Sequence, residues 1–166
     1  AIFTDPEMQA ALAANGMQFS SANSINWGRL VPQIVYYVSA YVTMLEKGIL
    51  ENGQGFALTV PTGNFGNILA AWYAKQMGVP IRHLVCASNI NKVLTDFIDT
   101  GIYDRNRDFH ATISPSMDIL ISSNLERLLY HMTGEDDAQI RAWFDALKSE
   151  GRYEIPVELQ HRIQAG

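Results

Sequence analysis

The stretch that most constrains this chain runs from Phe56 to Met77. An apolar run, Phe56–Val60, leads into Pro61-Thr62-Gly63-Asn64-Phe65-Gly66-Asn67 and from there into an apolar helical pattern over Phe65–Met77 that Gly78 stops. A run of apolar residues without alternation is the pattern of a strand covered on both faces, which predicts a central parallel strand. Parallel strands need a crossover, and a second apolar run, Ile81–Ala87, follows the helix at once. A further helix spans Asn91–Thr100 and ends at Gly101. This strand, helix, strand, helix order predicts an α/β fold built on a parallel-sheet βαβ unit, Rossmann-like and three-layered.

The flanking segments read as helices and loops. Asp5-Pro6-Glu7 opens a short helix, Glu7–Ala14, closed by Asn15-Gly16, and Met17–Phe19 reads as a short strand. Ser24 is placed to cap a long helix over Ile25–Lys47, buried on more than one face, with Pro32 bending it or marking its start. Tyr103–Met117 reads as a long ordered loop, followed by helices over Asp118–Met132, Asp136–Ser149 and Val157–Ile163. The expectation is one α/β domain or domain fragment over residues 1–166, with residues 130–166 a mainly helical extension.

Composition removes several classes of function. The 166 residues carry 12 Lys+Arg against 17 Asp+Glu, a formal net charge of -5 without a basic block, so no nucleic-acid partner is expected. The apolar stretch within Leu30–Leu45 is interrupted by Pro32, Gln33 and Ser39, short of the roughly 20 residues of a membrane span. A single cysteine, Cys86, excludes an internal disulfide and reads as a core thiol in a reducing, cytoplasmic setting. His83, His110, His131 and His161 lack metal-ligand spacing, and no metal site is expected. Ala1–Met8 lacks the basic start of a signal peptide and has no initiator Met, so the chain is expected to begin mid-protein.

Two stretches are candidates for anion chemistry. Gly63-Asn64-Phe65-Gly66-Asn67 lies where a helix begins, so unpaired N–H groups and the helix dipole can meet a phosphate approached closely through glycine. It lacks the lysine of a P-loop and the three-glycine dinucleotide pattern. The same residues also suit a tight strand-to-helix turn. Asn23-Ser24 with Arg29 forms the second candidate, although by themselves these residues read first as an ordinary helix cap followed by a surface arginine. Ser114-Pro115-Ser116-Met117-Asp118 reads as hydroxyls before a helix, and Asp104–Asp108 as a solvated or self-paired loop.

Five blocks taken in order, NSINWGRLVPQIVYY, VPTGNFGN, ASNINKVLTDFIDTG, YDRN and ISPSMDILISSNLERLLY, resemble threonine synthase, a fold-type II pyridoxal-phosphate enzyme of the tryptophan-synthase-like fold. The quoted blocks run in order from Asn23 to Tyr130, and the resemblance extends over about residues 17–129. The resemblance implies conversion of O-phospho-L-homoserine and water to L-threonine and phosphate, with pyridoxal 5'-phosphate as electron sink. It implies that Gly63, Asn64, Phe65, Gly66 and Asn67 hold the cofactor phosphate, and that Asn23, Ser24, Arg29 and Asn67 meet the substrate phosphate. The family's Schiff-base lysine lies in an upstream Phe-Lys-Asp motif, and Lys47, Lys75, Lys92 and Lys148 have no such setting. No catalytic residue is therefore expected in this chain, which reads as an internal piece of a longer enzyme, inactive alone and partnered by the enzyme's remaining segments. The alternatives are a non-catalytic module that binds a phosphorylated ligand and a threonine-synthase-like phospholyase.

Overall fold

The computed structural model describes residues 5–20 and 22–166. Helix α1, Pro6–Ala14, starts where the Asp5 carboxylate accepts from the amides of Glu7 (3.0 Å) and Met8 (3.2 Å). The strand expected over Met17–Phe19 does not form, and those residues are irregular. Helix α2, Trp27–Glu46, is capped by Asn26 and not by Ser24, the Asn26 side chain accepting from Gly28 N–H at 2.9 Å. Pro32 lies inside this continuous helix. Its apolar surface is not buried all round: Leu30 and Tyr37 are buried, whereas Val35 and Tyr36 are more than half exposed. Among the described residues no helix is long and apolar enough to cross a membrane.

The βαβ unit forms as expected. Strands β1 (Phe56–Pro61) and β2 (Ile81–Ala87) pair in parallel, with Val60 opposite Cys86, and helix α3 (Gly66–Gln76) makes the crossover. Two sequence expectations need correction. Among the described residues β1 pairs only with β2, so it is not central there. Its faces also differ: Leu58 and Val60 pack into the core while Ala57 and Thr59 are exposed. The apolar run reflects cover on two faces, and the described residues supply it on one.

Helix α4 (Val93–Thr100) ends at Gly101, whose φ of 74° is the left-handed stop expected of it. A second sheet then appears where a loop and a tail were expected: β3 (Ile102–Asp104) pairs antiparallel with β4 (Arg152–Glu154). Tyr103 and Tyr153 face each other in register and stack at 5.4 Å between ring centres, with Phe97 edge-on to both. Three-residue strands show no readable alternation, so their pairing rests on this aromatic contact. Arg107, in the loop expected to be solvated or self-paired, bonds within it, its Nε donating to Asp104 O at 2.8 Å, and also outside it, reaching Asp96 on α4 at 2.7 Å.

Helix α5 occupies only Leu125–Met132 of the predicted Asp118–Met132. The segment before it passes over the β1–α3 turn, and there the Asn124 amide donates to Asn64 O at 3.1 Å in place of an intrahelical carbonyl. Helices α6 (Asp137–Ser149) and α7 (Val157–Gln164) match their expected positions, with Gly134 and Gly151 at positive φ bordering α6 and β4.

Candidate functional site

The β1–α3 turn is held from below and left open above. Thr62 ends β1 with its N–H on Ala87 O (2.8 Å) and its hydroxyl on Val60 O (2.7 Å). The next two carbonyls turn away from the cleft: Ser122 Oγ donates to Gly63 O at 3.0 Å, and the Asn124 carboxamide to Asn64 O at 2.9 Å. Phe65 then adopts φ 62°, rare for a residue with a side chain, while burying its ring in the core. Its left-handed backbone starts α3 without a side-chain cap. Among the described residues the amides from Gly63 to Ile68 have no acceptor, so the start of α3 presents a run of donors.

Gly63–Asn67 of this run line a cleft of about 230 Å³, bounded also by Pro61 and Thr62, by Ser24, Arg29 and Gln33, and by Ser116. Among the described residues Arg29 is its only charged lining residue, and none that lines it is a carboxylate. The guanidinium of Arg29 has no partner among the described residues, while Gln33 secures the Arg29 carbonyl by donating to it at 2.8 Å. A helix N-terminus with an added cation and no opposing acid favours a phosphate or carboxylate.

The glycines have tertiary reasons. A Cβ on Gly66 would sit far inside contact distance of the Ser24 side chain, and one on Gly63 would stand 2.8 Å from Ser116 O. Gly66 thus lets the Ser24 segment close on the turn, and Gly63 lets the Ser116 loop do the same.

Of the sequence-predicted residues, Ser24, Arg29, Gly63, Asn64, Phe65, Gly66 and Asn67 meet at this cleft. Asn23 does not line it; its Oδ1 accepts from Ile25 N–H (3.2 Å) and Ser24 Oγ (3.3 Å), shaping the turn that carries Ser24. The Asn67 side chain is drawn back by the Tyr37 hydroxyl, which donates to its carboxamide oxygen and, at 3.2 Å, to its backbone carbonyl. Burial pushes the Tyr37 phenol up to about 12, so it remains a donor at neutral pH. None of Lys47, Lys75, Lys92 and Lys148 lines the cleft; Lys75 donates to Arg82 O at 3.1 Å and Lys92 pairs with Asp96 at 3.1 Å.

Several residues essential to this geometry escaped the sequence reading. Asn124 and Arg127 hold the Ser24 segment, and the polar triplet Ser122-Ser123-Asn124 interrupting an apolar pattern was the available signal. Asp118 does not act as a helix-start residue. Its carboxylate accepts from Thr112 N–H (2.7 Å), Thr112 Oγ1 (2.8 Å), Asn89 (2.6 Å) and Asn91 (3.1 Å). These bonds, led by that from the Thr112 amide, hold its carboxyl below the usual range and fix the loop that carries Ser116. Cys86 is half-buried beside the core, with burial pushing its thiol up despite the Thr62 hydroxyl nearby.

No family model matches the chain. Threonine synthase-like 1 of Homo sapiens is 50% identical over 165 residues, 98% of this chain and 22% of that protein. Threonine synthase of Eremothecium gossypii is 43% identical over 154 residues, 87% of this chain and 29% of that protein. The crystal structure of PLP-bound threonine synthase from Brucella melitensis superimposes with a TM-score of 0.86 at 40% identity, over 99% of this chain and 33% of that one. The chain therefore spans about a quarter to a third of the length of these relatives. In sequence and in backbone, nearly all of this chain matches one part of the much longer threonine synthases.

Proposed function

We propose that this chain forms the phosphate-holding wall of a threonine synthase active site, and that the whole protein converts O-phospho-L-homoserine and water to L-threonine and phosphate in the cytoplasm. The observation that carries this reading is the run of amides from Gly63 to Asn67, unpartnered among the described residues, lining the same cleft as Ser24 and Arg29. A dianionic phosphate fits that donor set, and pyridoxal 5'-phosphate, which the Brucella melitensis relative holds, carries such a group. When bound, this cofactor supplies the electron sink for elimination and water addition. Gly63–Asn67 are assigned to its phosphate and Ser24, Arg29 and Asn67 to that of the substrate. Asn23 supports Ser24 through its Oδ1.

Arg29 brings a fork of charged donors that a lysine lacks. In the whole protein, Arg29→Lys is expected to lower kcat/KM for O-phospho-L-homoserine by roughly 10–100-fold, the worth of about 1.5–3 kcal/mol for a hydrogen bond to a charged group. An unchanged kcat/KM would remove Arg29 from the site.

The higher identity to threonine synthase-like 1 than to threonine synthase, 50% against 43%, favours one second reading, a phospholyase that releases phosphate without making threonine. Measuring both products from the same substrate separates them: phosphate with equal threonine supports the synthase, and phosphate alone supports the phospholyase.

A further inference from the structure

Asn124 is fully buried and does not line the cleft, yet it joins two segments that do. Its carboxamide nitrogen donates to Asn64 O at 2.9 Å and to Ser24 Oγ at 3.1 Å. Its backbone N–H also reaches Asn64 O, at 3.1 Å. The carboxamide oxygen accepts from Arg127 Nη1 at 2.6 Å. An amide flipped at this position would set its NH2 against a guanidinium and its oxygen against a carbonyl, so Arg127 locks the orientation.

Arg127 extends the same clamp. It donates to Ser24 O at 3.3 Å and to Ile25 O at 2.6 Å, and its guanidinium lies 5.9 Å from the Trp27 ring centre. Both residues belong to the start of α5, and both pull the segment before α2 onto the turn before α3.

We propose that Asn124 is a positioning residue that sets the separation between the two walls of the cleft, Ser24–Arg29 and Gly63–Asn67, with Arg127 holding its carboxamide in register. The proposal rests on the reading of the cleft as a phosphate site. Exposed amides bind an anion weakly because water competes for them, and affinity depends on adding the guanidinium at a fixed distance. Displacing one wall separates the two contributions without removing either group.

The test uses the 166-residue chain and inorganic phosphate, following the amide resonances of Gly63–Ile68 and the Arg29 Nε–H resonance in one titration. In the unsubstituted chain both sets should follow a single Kd. In Asn124→Leu, which keeps the branched shape, removes the hydrogen-bonding atoms and adds no charge, Kd should rise about tenfold or more, equivalent to about 1.4 kcal/mol. The Arg29 signal should also leave the common curve while the turn amides keep a weak titration. Arg127→Lys, which keeps the charge but not the fork, should give the same split in smaller degree. A folded Asn124→Leu chain with unchanged Kd and coincident curves would overturn the proposal. If that variant does not fold, coincident curves at the original Kd in Arg127→Lys overturn it instead. Absence of any turn response in the unsubstituted chain would overturn the phosphate reading itself, and this proposal with it, before any substitution is made.

Discussion

At the scale of single residues, the turn depends on close approaches as much as on hydrogen bonds. Gly66 faces the Ser24 side chain, which Asn124 holds in place. Gly66→Ala is therefore expected to destabilise the chain by about 1–3 kcal/mol, read as a lower urea midpoint, whether or not phosphate is present. A loss seen only in phosphate affinity would mean that Ser24 can move aside. Asp118 gives a pH dependence. Its folded pKa lies below the unfolded value of about 3.9, so its stabilising contribution is complete above that value and lost as pH falls through the folded one. Urea midpoints from pH 7 down to 3 should fall more steeply at the acid end for the unsubstituted chain than for Asp118→Asn. Equal slopes would detach Asp118 from acid stability. The partners of Asn124 lie tens of residues away, and Asp118 joins a near partner, Thr112, to a distant one, Asn89, so neither role follows from sequence spacing.

At the scale of elements, α2 shows why a pattern can predict a helix and misjudge its surroundings. Its residues are apolar nearly all round, yet α3 covers only the face of Leu30, Ile34 and Tyr37. Leu30→Ala should cost about 2–5 kcal/mol, since Leu30 is fully buried. Val35→Ala, on the exposed face, should stay within about 0.5 kcal/mol. Thermal unfolding of the two variants checks the contrast, and similar losses would place Val35 in a packed interface. The start of α5 teaches the complementary lesson. Its polar preceding segment spends its donors on Gly63 O and Asn64 O, so a helix expected from Asp118 begins at Leu125.

At the scale of the whole molecule, the cleft gathers the α3 N-terminal turn, Ser24 and Arg29, and no lysine among its described lining residues. The isolated chain is therefore expected to bind inorganic phosphate and to make no threonine from O-phospho-L-homoserine. Threonine production together with a saturable cofactor absorbance band, in purified chain free of any longer form, would contradict this. Separate substitution of Lys47, Lys75, Lys92 and Lys148 would then identify the lysine responsible.

Legible from the residues alone were the βαβ unit, the turn at Gly63–Asn67, the stop at Gly101 and the family resemblance. These depend on local backbone preference and on apolar runs long enough to read. Tertiary packing is what brings Ser24 and Arg29 into one cleft with the turn, bonds Asn124 and Arg127 to the Ser24–Ile25 segment, and pairs β3 with β4. Such contacts bring together groups far apart in the chain, Asn124 and Ser24 by 100 residues. No local pattern records them, because each depends on where the whole fold carries both partners.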